Sequence, residues 1–278
     1  MNDRVPEHPL RKYLRPSVKG TGFCPGCGDG TVLQCILRAI DELKMEMDDF
    51  VFVSGIGCAA WIISPYFNGD VLHTTHGRPI AFATGIKLNL PEKKVMVISG
   101  DGDLTAIGGN HLIHAARRNI EMVVVCVNNG IYGMTGGQVA PTTPRGARTI
   151  TTPLGNLENA FDIAPMVRAA GASYVARWTT FHPRRLTRSI KRAIGKKGFA
   201  FVEAVSQCPV QFGAKTGAGS AVEMFEMFKE KSISVEKASA MKPEELGDRI
   251  VVGEFADRDR PELCEEILRL KRGAGRGP

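Results

Sequence analysis

Two glycine-flanked turns carry the residues best suited to chemistry. In Ser99-Gly100-Asp101-Gly102 a carboxylate sits between two residues without side chains, and in Asn128-Asn129-Gly130 an amide pair follows an apolar run. Backbone N–H groups at Gly100 and Gly102 can approach phosphate oxygens closely where a helix begins, and the helix dipole favours negative charge there. Asp101 and Asn129 add a carboxylate and an amide oxygen, hard donors of the kind that hold magnesium together with phosphate oxygens. A dinucleotide suits this turn less well, because GxGxxG is not found here and the acid lies inside the glycine turn.

Cysteines form the second constellation. There are seven, an odd number, in a chain whose N-terminus lacks a signal-peptide core. That setting favours metal or redox chemistry over disulfides. Cys24 and Cys27 have the CxxC spacing that lets two thiolates reach one centre. Cys58 and Cys208 each follow an apolar run that reads as a strand, so the three cysteine-bearing stretches are expected at one sheet edge. Four such thiolates suit either tetrahedral zinc or a 4Fe-4S cluster. The others have plainer readings: Cys126 lies inside VVVCV, Cys35 on an apolar helix face and Cys264 in an amphipathic segment.

The elements that must position these residues follow from periodicity. Residues 95–98 and 122–127 read as buried parallel strands, with a crossover helix over 105–119 between them. Both strand ends then fall on one edge of the sheet, where ligands of open α/β sheets bind. Further strands are expected at 50–53, 173–177 and 199–205, the last closing the sheet, with helices at 31–43, 80–88, 157–170, 183–194 and 222–231. The fold class is therefore α/β, a mainly parallel sheet flanked by helices. Residues 1–19 read as an irregular arm, 20–213 as the binding domain, and 214–278 as a C-terminal arm that packs on a partner and frays at 273–278. Residues 139–156 form a long Thr-, Pro- and Gly-rich loop, expected to contact substrate, cofactor or a partner subunit.

At 278 residues with 43% hydrophobic content the chain can bury a real core. No apolar run approaches the ~20 residues of a membrane span, so a cytoplasmic protein without membrane contact is expected. The net charge of +7 is concentrated between residues 163 and 202, which hold nine Lys and Arg and no acid. Such a stretch attracts an acidic protein, an anionic substrate or nucleic acid.

The segments FCPGCGDG, SGIGC, HTTHGR, ISGDGD and NNGIYGMTGGQ, in this order over residues 20–213, resemble the β subunit of the 2-oxoacid:ferredoxin oxidoreductases, most of all the 2-oxoglutarate type. The resemblance implies a thiamine-diphosphate-binding domain, with magnesium on Asp101, Asn129 and the Ile131 carbonyl. Cofactor contacts would come from Ile56, Gly57, Cys58, His76, Gly77, Gly100, Gly102, Asp103, Tyr132, Gly133, Met134 and Thr135, with His76 as the catalytic residue. It places one 4Fe-4S cluster on Cys24, Cys27, Cys58 and Cys208. Pyruvate-type members often carry a polar residue where Met134 stands; Arg78 is a candidate partner for a substrate carboxylate. The implied reaction is oxidative decarboxylation of a 2-oxoacid to acyl-CoA and CO2, with electrons passing through the cluster to ferredoxin. An α subunit would carry the glutamate that meets the aminopyrimidine, in a dimer of αβ heterodimers. Ferredoxins are commonly acidic, so the basic face of residues 183–197, led by Arg184 and Arg188, is the expected docking face. Two rivals are a non-redox thiamine diphosphate decarboxylase or carboligase subunit with structural cysteines, and a zinc-stabilised nucleic-acid-binding protein. The second leaves GDG and NNG unexplained, so no nucleic acid partner is expected.

Overall fold

The computed structural model describes residues 8–274. From its first described residues the N-terminal segment is anchored rather than loose. A 3-10 turn over Pro9–Tyr13 buries Leu10 and Tyr13, and Leu14 bridges Phe67. The CxxC loop leads into α1 (Asp29–Glu42), followed by β1 (Phe50–Ser54), β2 (Asp70–His73), α2 (Pro79–Asn89), β3 (Lys94–Gly100), α3 (Asp101–Thr105), α4 (Gly109–Arg118) and β4 (Met122–Asn128). After a long irregular stretch come α5 (Ile163–Ala170), β5 (Tyr174–Thr179), α6 (Pro183–Gly195) and β6 (Phe199–Val205). The remainder is α7 (Ala214–Thr216), α8 (Ala221–Lys231), β7 (Ser232–Ser234), α9 (Val235–Ala238), α10 (Pro243–Leu246), β8 (Ile250–Asp257) and α11 (Leu263–Ala274).

The strands form one sheet in the order β2-β1-β3-β4-β6-β5-β8-β7, and only the β5–β8 pairing is antiparallel. Alternation along β4 shows why its sequence is apolar throughout. Val123, Val125 and Val127 pack with Ile36 of α1 and Leu186 and Ile190 of α6, whereas Met122, Val124 and Cys126 pack with Leu112 of α4 and Ile163 and Val167 of α5. Helices cover both faces, so every side chain from Met122 to Val127 is buried.

Several expectations need correction. The helix expected over 105–119 is broken into α3 and α4 around Gly108, where a Cβ would lie 2.4 Å from the Asp103 carbonyl oxygen. The chain bends there to pack against the Gly77 turn. The helix expected from 157 begins only at Ile163, because Pro165 is tolerated in a first turn but not deeper in a helix. β6 does not close the sheet; it lies between β4 and β5. Nor is the C-terminal segment wholly an arm, since β8 pairs with β5 and β7 with β8. Of the stretch expected to fray, residues 275–278 lie outside the described residues.

The basic stretch is also smaller than its sequence suggests. Arg177 is buried, with Nε 2.8 Å from Glu203 and a second contact to Asp162. Arg192 pairs with Glu254 and Asp257, Lys196 with Asp257 and Asp259, Lys191 with Glu42, and Lys197 with Glu265. Acids supplied by the C-terminal strand thus neutralise one side of α6. Among the described residues Arg184 and Arg188 have no ion pair, and with Arg38 of α1 they line a groove of about 980 Å³.

Candidate active site at the carboxyl edge of the sheet

Five strand ends and the loop before α1 converge at one edge. β3 ends at Gly100, and Asp101 opens α3, so the turn is also a helix start. Gly102 is required here: a Cβ would lie 2.5 Å from the Tyr132 ring, whose hydroxyl donates to the Gly102 carbonyl at 3.1 Å. After β4, Gly130 takes a positive φ of 70°, which turns the chain back so that the Ile131 N–H donates to Asn129 Oδ1 at 3.1 Å. A cavity of about 60 Å³ results. It is lined by all the residues expected at the cofactor except Gly77.

The two buried carboxylates of this turn have different work. Asp103 is a brace. Its Oδ1 accepts from the Gly77 N–H at 2.7 Å and the Ile56 N–H at 3.4 Å, and its Oδ2 accepts from Ser99 Oγ at 2.6 Å. It therefore ties the loops after β1 and β2 to the end of β3, and Gly77 serves the site from behind. His76, half exposed, sits in the same knot with Nδ1 3.0 Å from Asp103 Oδ1, and that nitrogen makes no well-aligned hydrogen bond.

Asp101 accepts a weak hydrogen bond from the Asn129 N–H at 3.3 Å on Oδ1, and Thr142 donates to Oδ2. Burial pushes its carboxyl up to about 6, against the pull of those two donors. A buried anion with so little compensation is a suitable place for a divalent cation, which would offset the cost of desolvating it. Thr142 was not among the expected site residues. It lies in the 139–156 loop, which is pinned over the turn by Thr143 Oγ1 donating to the Gly130 carbonyl at 2.6 Å and Asn156 Nδ2 to the Thr143 carbonyl at 2.9 Å. Arg78 donates to the Ile107 carbonyl at 3.1 Å and does not line the cavity.

Cys24, Cys27, Cys58 and Cys208 line a second cavity, of about 320 Å³. Gly28 holds the CxxC loop to the Cys208 loop by donating to the Gln207 carbonyl at 3.0 Å, in a contact so close that a Cβ would sit 2.3 Å from Ser206 Oγ. The Cys58 and Cys208 sulfurs flank Gly133, each 3.6 Å from where a Cβ would lie. Burial pushes the Cys58 thiol up to about 12, with the charge of Asp29 a further cause, and raises Cys27 and Cys208 as well. Among the described residues no three Cys, His, Asp or Glu side chains converge closely enough to grip one ion. Thiolates on a single zinc would stand about 4 Å apart, whereas a cluster of several irons spreads its ligands wider. Cys35, Cys126 and Cys264 are buried elsewhere in the core, and among the described residues every cysteine is free.

The two cavities are neighbours. Cys58, Asn129, Gly133 and Met134 line both.

The family described as "Thiamine pyrophosphate enzyme, C-terminal TPP binding domain" matches residues 55–204. A 2-oxoglutarate synthase subunit KorB from Methanocaldococcus jannaschii is 55% identical over 263 residues, covering 95% of this chain and 97% of that protein. The subunit of the same name from Archaeoglobus fulgidus is 46% identical, covering 93% of each chain. Among solved structures, a 2-oxoglutarate:ferredoxin oxidoreductase from Magnetococcus marinus, with 2-oxoglutarate, coenzyme A and succinyl-CoA bound, superposes with a TM-score of 0.85 at 30% identity, covering 98% of this chain and 93% of that one.

Proposed function

The chain belongs to the KorB family of 2-oxoglutarate synthase subunits, and from that premise we propose that it supplies the diphosphate half of a thiamine site together with one 4Fe-4S cluster, in a CoA-acylating 2-oxoglutarate:ferredoxin oxidoreductase. The observation that carries this reading is the wall shared by the two cavities, Cys58, Asn129, Gly133 and Met134. A ligand in one cavity is separated from thiolates in the other by single side chains. That is a short path for single electrons, and it gives the four cysteines a purpose that a non-redox decarboxylase would lack.

Each group of the site has a task. Asp101, Asn129 and the Ile131 carbonyl hold magnesium, and the N–H groups of the Gly100–Gly102 turn face the diphosphate. Asp103 fixes the loops that carry Ile56 and His76. Bound thiamine diphosphate supplies the nucleophilic carbon for decarboxylation and the cluster a one-electron relay. His76, held beside Asp103 and open to the cavity, is the group of this chain placed to move a proton at the substrate. Met134 presents an apolar surface at the wall between the cavities. Neither Asp101 nor Asp103 is free to meet an aminopyrimidine, so an α subunit supplies that carboxylate. Ferredoxin docks on the cationic groove of Arg38, Arg184 and Arg188, beside the helix that starts at the CxxC loop.

The test is an anaerobic assay of the intact complex with 2-oxoglutarate, pyruvate and other 2-oxoacids, each with coenzyme A, reading reduction of viologen and of ferredoxin. Selective, coenzyme A-dependent turnover of 2-oxoglutarate is expected, with about four irons and four sulfides per chain. Zinc in place of iron, or a preference for pyruvate, would overturn the reading. In the same assay Arg184→Glu with Arg188→Glu slows ferredoxin reduction at low salt while leaving viologen reduction intact; an unchanged ferredoxin rate moves the docking face elsewhere.

A further inference from the structure

Three adjacent strands break one apolar face at the same edge of the sheet. On the face covered by α4 and α5, β4 presents Met122, Val124 and Cys126, β6 presents Phe199 and Phe201, and β5 presents Val175. At the next position on that face, by the carboxyl ends, the same strands carry Asn128, Glu203 and Arg177. Glu203 is 1% exposed and lies opposite Cys126 on one side and Arg177 on the other. A buried ion pair adds little net stability, because desolvation offsets the attraction. This pair supplies direction instead.

The row decides which way an amide points. Glu203 accepts from Arg177 Nε–H at 2.8 Å on Oε2 and from Asn128 Nδ2 at 2.8 Å on Oε1. A guanidinium only donates and a carboxylate only accepts, so the Asn128 amide must turn its nitrogen towards Glu203. Its oxygen is thereby left to accept from the Gly130 N–H, at 3.1 Å. That bond closes the turn in which Gly130 takes its positive φ and the Ile131 N–H reaches Asn129 Oδ1.

The loop over the site is tied to the same row. Arg177 also donates to Asp162, the residue before α5. It thus holds the far end of the stretch whose near end places Thr142 on Asp101 and Thr143 on the Gly130 carbonyl. Through Asn128 on one side and Arg177 on the other, Glu203 joins the turn to the loop that covers it.

We propose that Glu203 is a positioning residue for the metal-binding turn: by fixing the Asn128 amide it sets Asn129 and the Ile131 carbonyl for magnesium. This rests on the half-site reading given above and adds what holds its metal side in place.

Exchanging acid and amide between the two positions separates direction from mere packing. In Glu203→Gln the new side chain keeps its oxygen on Arg177 and turns its NH2 to Asn128, so the Asn128 amide flips and the Gly130 N–H loses its acceptor. In Asn128→Asp two carboxylates face each other. In the double variant the amide at 203 donates to the carboxylate at 128, which still accepts from Gly130, and the charge of the row is unchanged. Calorimetry of thiamine diphosphate on the intact complex at stepped magnesium concentrations reads the magnesium needed for half-maximal binding, with Tm and iron content measured alongside. Each single substitution raises that requirement about tenfold or more, and the double variant returns it to within about threefold of native. Single variants that lower Tm but keep the native magnesium requirement overturn the proposal, and so does a double variant as impaired as the worse single. Should Glu203→Gln fail to assemble, Asn128→Asp, at a half-buried position, and the double variant decide the same question. Absence of magnesium-dependent binding in the native complex overturns the half-site reading, and this proposal with it.

Discussion

The Asp101 turn and the cysteine cavity share a wall but are held in opposite ways. Around Asp101 and Asp103 the chain supplies its own order. Six hydrogen bonds from Ser99, Thr142 and the N–H groups of Ile56, Gly77, Asn129 and Ile131 fix three loops before any ligand arrives. The cysteines are held more sparsely, with backbone groups of Gln211 and Phe212 at Cys208 and Asp29 at Cys27. Burial, with the Asp29 carboxylate a further cause, raises the cost of ionising Cys27, Cys58 and Cys208, and Asp29 Oδ2 is itself buried without a partner. One region is a mould that a cofactor enters. The other becomes favourable only when positive charge arrives to hold thiolates in place, which is how metal binding couples to local folding.

The largest effect should therefore come from the weaker region. Cys208→Ser is expected to take bound iron and sulfide from about four each per chain to nearly none. Thiamine diphosphate affinity in the assembled complex should stay within about threefold, a change worth roughly 0.7 kcal/mol. Elemental analysis with calorimetry on one preparation checks both. If cofactor affinity collapses with the iron, the mould is not self-supporting and the contrast fails.

Asp101→Asn probes the other side. Loss of the one anionic ligand should weaken magnesium-dependent thiamine diphosphate binding by about 100-fold, roughly 2.7 kcal/mol, while iron and colour are retained. The pH dependence sharpens this. The folded Asp101 carboxyl is raised to about 6 from the usual 3.8, so the folded chain binds a proton more readily than the unfolded one. Its contribution to apo-chain stability is thus unfavourable above about pH 6 and is relieved as pH falls towards 4. Cofactor affinity runs the other way, falling below about pH 6 because magnesium competes with the proton. Asp101→Asn should flatten the apo-chain profile in part, the remainder belonging to Asp29, also raised to about 6 by burial. Denaturation of the apo chain between pH 4 and 8 reads it; an unaltered profile would mean that Asp101 is solvated.

What could be read from the sequence divides along physical lines. GDG and NNG were legible because close backbone approaches leave glycine no substitute, as the contacts at Gly102 and Gly130 show. The meeting of the four cysteines was legible because thiols are few, with Cys58 and Cys208 just past strand ends and Cys24 and Cys27 in CxxC spacing before α1. The strand β8 was not, because it is an added antiparallel neighbour whose acids, Glu254 and Asp257, read as surface charge until α6 is seen opposite them. Burial of Arg177 was hidden for the same reason, since its partners Glu203 and Asp162 lie 26 and 15 residues away. Helical periodicity over 157–162 misled because it carries no information about Pro165.

Thr142 shows the limit most clearly and gives the smallest expected effect. It stands among several threonines in a loop without periodicity, and nothing in its spacing ties it to Asp101, 41 residues away. Its hydroxyl stabilises the ionised carboxylate, and a hydrogen bond to a charged group is worth about 1.5–3 kcal/mol when the partner stays buried. Magnesium would recover part of that, because the cation itself stabilises the same charge. Thr142→Val, which keeps the shape and removes the donor, should therefore cost cofactor affinity about threefold to tenfold, roughly 0.7–1.4 kcal/mol, with iron content unchanged. It should also raise the pH at which affinity is lost, since the carboxyl loses a group that favours its charged form. A pH profile of thiamine diphosphate binding that does not move would show that the loop merely covers the turn, and the self-ordered character of this region would then rest on Asp103 alone.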